Sequence, residues 1–370
     1  MPQAIIRVLV VDDSPLMRRA ISDAINVNSD MTVVGTAFDG NEAIAKFREL
    51  KPDVVTLDVQ MPDKNGQQVL EEILEIAPTP VIMVSNLTHR GAEVTLHALE
   101  MGAIDYLGKP ERASELEAVL YDELVKKIRA SAWTDVRRVI QIRRNRQQLR
   151  AADVDRRRTP LGRKHLSADE PKDACIAIGI STGGPPALAY LFESLAPPLP
   201  PIVVVQHMPP QFTGPFARRL DSLSSLTVSE AAQEDVLQPN HVYIAPGGAH
   251  LSLVEQGHVV KIQIQDGAIV SGHKPSVDVM MKSAASIFGE RCLGVVMTGM
   301  GRDGAEGCRS IRAAGGYVLG QNQASSDVYG MNKVAFTEGG VDEQFDLESA
   351  PAKITAAAGN LAYVSLTTNK

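Results

Sequence analysis

The chain has 370 residues, 44% hydrophobic and 22% charged, with a formal net charge of −7; this is the profile of a soluble globular protein, and it is long enough for two domains. Three cysteines, Cys175, Cys292 and Cys308, with no Cys-x-x-Cys spacing argue against a disulfide framework or a zinc site and for a reducing compartment. The apolar start, Ala4–Val11, runs straight into Asp12 and Asp13, which fits neither a signal peptide nor a membrane span, so a cytoplasmic protein with no direct membrane insertion is expected.

In chain order, β-rich runs at Ile5–Val11, Thr32–Ala37, Val54–Leu57, Val81–Val84 and Asp105–Leu107 alternate with amphipathic stretches such as Leu16–Asn26, Gly40–Leu50 and Ala92–Met101. The runs lack inside–outside alternation, as parallel strands covered on both faces do. They predict a doubly wound, five-stranded parallel domain over residues 1–125. Between Lys126 and Lys164 stand 14 basic and 3 acidic residues, a net +11 that leaves −18 for the rest. That strip, 126–172, reads as a basic interdomain linker, either a solvated tether or an electrostatic docking element.

A second α/β domain is expected over 173–370. Its strands fall at Ala174–Gly179, Ile202–Gln206, Val242–Ala245, Leu293–Thr298 and Tyr317–Gly320, and its helices at Ala187–Leu195, Phe212–Ser222, Val277–Phe288 and Gly304–Ala314. A small antiparallel hairpin, Leu251–Val254 with Val260–Gln265, interrupts the mainly parallel pattern.

In doubly wound sheets ligands bind at the carboxyl edge of the strands. Asp12 and Asp13 follow the first strand, Asp58 the third, Ser85 closes the fourth, and Lys109 with Pro110 follows the fifth. Converging carboxylates attract a hard divalent cation, for which magnesium is the usual choice. A carboxylate beside it can take a phosphoryl group as an acyl phosphate, whose oxygens Lys109 and the Ser85 hydroxyl would bind. Singly, each acid reads equally well as a helix N-cap or a solvated loop end; five fitting residue types at five strand ends do not.

These segments, VLVVDDSPLMR, PDVVTLDVQMPDKNG, PVIMVSNLT and GAIDYLGKP, resemble response-regulator receiver domains. The resemblance implies Asp58 as phosphoacceptor, Asp12 and Asp13 as magnesium ligands with it, and Ser85 and Lys109 as switch residues. Tyr106 falls where the family often carries a mobile aromatic. Asn65 stands where Asp-Gly is more usual, a change expected to affect a loop and not the chemistry.

In the second domain Gly179-Ile180-Ser181-Thr182-Gly183 matches the Gly-x-Ser-x-Gly elbow between a strand and a helix opening at Pro185-Pro186. Alone, such a turn is as often a phosphate cradle or mere packing. His207 directly follows the next strand and can serve as the base. Asp303, in Gly299-Met300-Gly301-Arg302-Asp303-Gly304, follows a third and can orient the imidazole. Glycines around it would let backbone amides face an oxyanion.

Two other readings are weaker. Gly299-x-Gly301-x-x-Gly304 fits a dinucleotide fingerprint, but the next strand ends at Gly320-Gln321 without the acid that would hold a ribose. An ordinary α/β-hydrolase needs the order Ser, acid, His; Asp235 and His250 could supply it, yet neither follows a convincing central strand. His89, His97, His165, His241, His258 and His273 show no ligand spacing and read as surface residues.

AIGISTGGPPAL, VVVQHMPPQFT, YIAPGGAHL, KPSVDVMMKSAA and GVVMTGMGRDGAEG closely resemble the chemotaxis protein-glutamate methylesterase family of CheB type. The resemblance implies Ser181 as nucleophile, His207 as general base and Asp303 as orienting acid, with Thr182 and the Met300 amide near the nucleophile and oxyanion. It further implies demethylation of glutamyl methyl esters, with deamidation of selected glutamines, on methyl-accepting chemoreceptors. The phosphodonor would be a chemotaxis histidine kinase, and no cofactor would serve the esterase site. Asn332 stands where the family more often has proline, a matter of local loop geometry. Nucleic-acid binding is not expected, since no helix-turn-helix follows the receiver and the second domain is acidic.

Overall fold

The computed structural model describes residues 5–86, 89–109, 119–132, 134–141 and 174–368. Residue contacts divide the chain into two units, 1–144 and 145–370. Among the described residues, no helix is long and apolar enough to cross a membrane.

The first unit runs β1 (Ile6–Val11), α1 (Pro15–Asn26), β2 (Met31–Ala37), α2 (Gly40–Leu50), β3 (Val54–Asp58), α3 (Gly66–Ile76), β4 (Val81–Asn86), α4 (His89–Met101) and β5 (Asp105–Lys109). The sheet order β2-β1-β3-β4-β5, parallel throughout, reverses direction between β1 and β3, so the crevice at their carboxyl ends is the expected ligand site. Strands such as β3 are buried at every position, which accounts for the missing alternation. Local chemistry starts the helices: the Ser14 hydroxyl accepts from the Met17 amide ahead of Pro15, Asp39 caps α2, and Asn65 closes a capping box with Gln68. Asn65 is thus a helix cap and not a free loop residue. Gly66 after it is obligatory, because a Cβ there would stand 2.2 Å from the Asp58 carbonyl.

The first unit continues beyond β5. After a π-helical turn, Val119–Leu124, α5 (Val125–Ser131) buries Val125 and Ile128 beside Ile6, Ile21 and Leu107. A further helix at 136–141 packs Val136 and Val139 on Ile104. Arg129 holds Asp30 and Asn28, and Lys127 pairs with Asp105. The first part of the expected linker is therefore two amphipathic helices whose basic faces outnumber their apolar ones; the stretch 142–173 lies outside the described residues.

The second unit holds a seven-stranded sheet, order β14-β13-β12-β6-β7-β9-β8, in which every pairing is parallel. Its strands are β6 (Cys175–Ile180), β7 (Ile202–Gln206), β8 (Thr227–Glu230), β9 (His241–Ile244), β12 (Cys292–Val296), β13 (Tyr317–Gln321) and β14 (Glu343–Phe345). The helices are α6 (Gly184–Ser194), α7 (Pro210–Leu223), α8 (Val277–Phe288), α9 (Ala305–Ala313), α10 (Met331–Thr337) and α11 (Ala350–Thr368). β10 (His250–Gln256) and β11 (Val259–Gln265) form the separate antiparallel pair. The chain grows outward from β6 on one side through β7 and returns on the other through β12, so β6 sits at the switch point. All three cysteines are free and buried.

Candidate active site and phosphoacceptor pocket

Ser181, His207 and Asp303 follow the carboxyl ends of β6, β7 and β12, three adjacent strands. The Ser181 amide donates to the Thr298 carbonyl at 3.0 Å, and the His207 amide donates to the Ile180 carbonyl at 3.2 Å, so the strand register itself brings serine and imidazole to one rim. Gly183, at φ +78°, caps α6 without a side chain and lets the chain turn sharply behind the serine. Gly299 makes room from the other side: a Cβ there would lie 2.8 Å from the Ser181 Cβ. The buried Gln206 amide group donates to the carbonyls of Ser181 and His207, both at 3.1 Å, tying the two turns together.

Asp303 is fully buried and saturated with donors. Its Oδ2 accepts from His207 Nε2 at 2.8 Å and the Val277 amide at 2.7 Å; its Oδ1 accepts from the Ser276 hydroxyl at 2.8 Å and the Asp278 amide at 3.0 Å. Burial pushes this carboxyl up, but the hydrogen bond and charge of His207 and the helix amides more than offset it and hold it below its ordinary value. An ionised Asp303 at the positive end of α8 fixes the tautomer with the proton on Nε2. The other nitrogen, Nδ1, is buried and without a hydrogen-bond partner, which leaves it able to accept a proton. No hydrogen bond joins it to Ser181 in this structure; such contacts often close only with substrate bound.

Thr182 is buried, and its carbonyl accepts from the Thr298 hydroxyl at 2.9 Å. Met300 stands between Gly299 and Gly301, the latter at φ +90°, in the loop against Ser181.

The fold also places several other polar side chains. His273 stacks on His207 with ring centroids 3.6 Å apart and planes within 8°, and His241 is half-buried with Nε2 2.8 Å from the Ser229 hydroxyl. Neither is the plain surface residue expected: His273 lies against the His207 ring, and His241 opens β9 and stacks on Tyr243. His250 bonds the Ala268 carbonyl at 2.9 Å and the Ser276 amide at 3.2 Å, so it braces the residue that holds Asp303. Asp235 accepts from the Ala232 amide. Neither serves as the acid or base of an α/β-hydrolase. Gln321, at the strand end where a dinucleotide fold would want an acid, is buried and bonds the Thr298 amide at 2.9 Å. Asn332 is buried near the start of α10, donating to the Gln321 carbonyl at 2.7 Å and to Ser326 at 2.8 Å.

In the first unit, Asp12, Asp13 and Asp58 offer carboxylate oxygens within 4.8 Å of one another, and Asp58 is the last residue of β3. Lys109 reaches Asp12 at 2.8 Å and Asp58 at 2.7 Å. Burial and the neighbouring Asp12 carboxylate push Asp58 up to about 6 against the pull of Lys109. The Lys109 ammonium is held above its usual value, since both carboxylates outweigh its own burial. The excess of buried negative charge and the all-oxygen donor set suit a hard divalent cation. Ser85 and Tyr106 are buried on β4 and β5, where Met83 pairs with Tyr106 and Ser85 with Gly108.

The CheB methylesterase family profile matches residues 176–354 and the response regulator receiver domain profile matches residues 8–121. The chain is 45% identical over 345 residues to protein-glutamate methylesterase/protein-glutamine glutaminase 1 of Caulobacter vibrioides, covering 93% of this chain and 95% of that one. It is 42% identical to the corresponding protein of Pyrococcus abyssi, with 95% and 93% covered. Among solved structures it is similar to the Thermotoga maritima CheB methylesterase catalytic domain, at 39% identity and TM-score 0.48, covering 49% of this chain and 96% of that one. With both profiles matched in sequence order and such relatives spanning almost the whole chain, the protein belongs to the CheB protein-glutamate methylesterase/protein-glutamine glutaminase family, with an N-terminal receiver domain.

Proposed function

We propose that the second unit hydrolyses glutamyl methyl esters, and selected glutamine amides, on methyl-accepting chemoreceptors. Ser181 is the nucleophile, His207 the base and Asp303 its orienting acid. Ser181 Oγ attacks the γ-carbonyl while His207 Nδ1 takes its proton, and Asp303 stabilises the imidazolium. The negative charge passing to the carbonyl oxygen is met by backbone amides of the turn around Met300, with Thr182 beside the nucleophile. Collapse breaks the C–O bond to methanol, or the C–N bond to ammonia, and the leaving group takes the proton from His207. Water then attacks the acyl-serine and gives its proton to His207, which returns it to Ser181 Oγ as the acyl bond breaks and free glutamate departs. The supporting observation is the buried His207–Asp303 pair at 2.8 Å with a free Nδ1 at the rim that carries Ser181.

The first unit takes a phosphoryl group on Asp58 from a chemotaxis histidine kinase. Asp12, Asp13 and Asp58 would hold Mg2+, which when bound supplies positive charge against the phosphoryl oxygens. Lys109 and Ser85 bind those oxygens, and Tyr106 changes its packing with Ser85. Phosphorylation thereby shifts a two-state balance that releases the esterase, in the cytoplasm where receptor and kinase tails meet it. Methanol release from methylated receptor tests the assignment. Ser181→Ala should abolish it while Asp58 still becomes phosphorylated; retained release would remove Ser181 from the mechanism.

A further inference from the structure

Two helices begin beside the imidazole, and each receives its N-terminal carboxylate from the other. Asp303, just before α9, accepts from the Val277 and Asp278 amides that open α8. Asp278, inside α8, accepts on Oδ1 from the Gly304 amide at 2.9 Å and the Gly307 amide at 2.8 Å, the first turn of α9. Gly304, the residue at the α9 cap, has no side chain to do this. The helices are pressed together at glycines: a Cβ on Gly304 would lie 2.8 Å from Val277 Cγ1, and one on Gly307 2.6 Å from Met281 Cβ.

Oδ2 of Asp278 makes a third connection, accepting from the Ser271 hydroxyl at 2.8 Å. Ser271 lies at φ +51° in the loop whose His273 stacks on His207. Asp278 touches neither Ser181 nor His207 directly. It is 2% exposed, and a solvated surface acid would have no reason to be buried against a second carboxylate, which costs free energy unless the bonds are needed. Burial, with Asp303 adding to it, pushes Asp278 above its ordinary value, while Asp303 is held below its own. Geometrically, Asp278 faces the two glycine amides and Ser271, whereas Asp303 faces the imidazole.

We propose that Asp278 is a positioning residue of the esterase: through exchanged helix caps with Asp303 and its bond to Ser271, it locks both supports of the His207 ring, the carboxylate at Nε2 and the His273 face. This rests on the hydrolase reading above. Its expected signature is a loss of turnover with little change in substrate binding, because misplacing the base acts on the transition state and not on the docked ester.

The test measures methanol release per folded enzyme in the full-length protein, with folded fraction read from near-ultraviolet circular dichroism. Asp278→Ala should lower kcat by about 10–100-fold, the scale of a misplacement near 1 Å, with KM within about twofold. Asp278→Asn keeps the Oδ1 acceptor for both amides and can donate to Ser271, so it should recover to within about fivefold of wild type. Should Asp278→Ala not fold, Ser271→Ala, which frees only the loop, should lower kcat about 3–10-fold at unchanged KM. Folded Asp278→Ala with wild-type kcat, or Ser271→Ala with wild-type kcat, overturns the proposal. A wild-type protein, phosphorylated on its receiver with a small phosphodonor and Mg2+, that releases no methanol from methylated receptor refutes the hydrolase assignment instead.

Discussion

Replacing Asp303 with asparagine perturbs one atom in a site where every lone pair is used. In one orientation the new NH2 group faces the Val277 amide and His207 Nε2, both donors in the native structure. The imidazole must then turn its proton onto Nδ1, the nitrogen needed as base. In the flipped orientation the tautomer survives, but the NH2 group faces the Asp278 amide. Either way a buried donor loses its acceptor, costing about 1–3 kcal/mol of stability. The rate loss is larger. An imidazolium and a carboxylate with charge centres about 4 Å apart attract by about 4 kcal/mol at an effective dielectric near 20. Since about 1.4 kcal/mol is a factor of ten, kcat should fall about 10³-fold. Methanol release from methylated receptor, followed across pH with thermal denaturation in parallel, reads both effects. A folded Asp303→Asn enzyme within tenfold of wild type would refute the account of how the imidazolium is stabilised.

Three further outcomes follow from the same structure. A Cβ on Gly299 would meet Met331 Sδ at 2.5 Å and Ser181 Cβ at 2.8 Å, so Gly299→Ala should displace the serine and cut kcat about 10–100-fold, and unchanged kinetics would show the turn to be more yielding than it is drawn. Asp58, raised in the fold to about 6 from 3.8, stabilises the receiver fully below pH ~4 and loses that contribution as pH rises through about 6. Without divalent cation, Asp58→Asn should therefore stabilise the receiver by about 1–3 kcal/mol at pH 7 and by about a third as much at pH 4.5, and denaturant titrations giving equal differences at both values would contradict it. Deleting the residues before Ala174 should raise basal methanol release, and a truncated enzyme no faster than the full chain would rule out simple occlusion by the receiver.

Much of the architecture was legible because parallel strands buried on both faces announce themselves as unbroken apolar runs, and β7, α2 and α8 fall where the pattern placed them. What escaped was short or disguised. β8 and β14 have four and three residues and lie at the sheet edges, where half-exposed sequence resembles a loop. The helices after β5 were hard to read because arginines and lysines dominate the composition of segments whose narrow apolar face still packs, as Ile128 and Val136 do.

The sequence by itself determined that a serine, a histidine and an aspartate each stand at the end of a buried parallel strand, since local patterning sets where strands stop and parallel strands share one carboxyl edge. Tertiary structure alone decided that those strands are neighbours, with β6 between β7 and β12, and that Asp303 takes Nε2 and leaves Nδ1 free. It also set how His250, His273, Ser276 and Asp278 support the site, which no spacing from the serine reveals. Strand order and helix-to-helix capping are contacts between segments tens of residues apart, and no local periodicity carries that information.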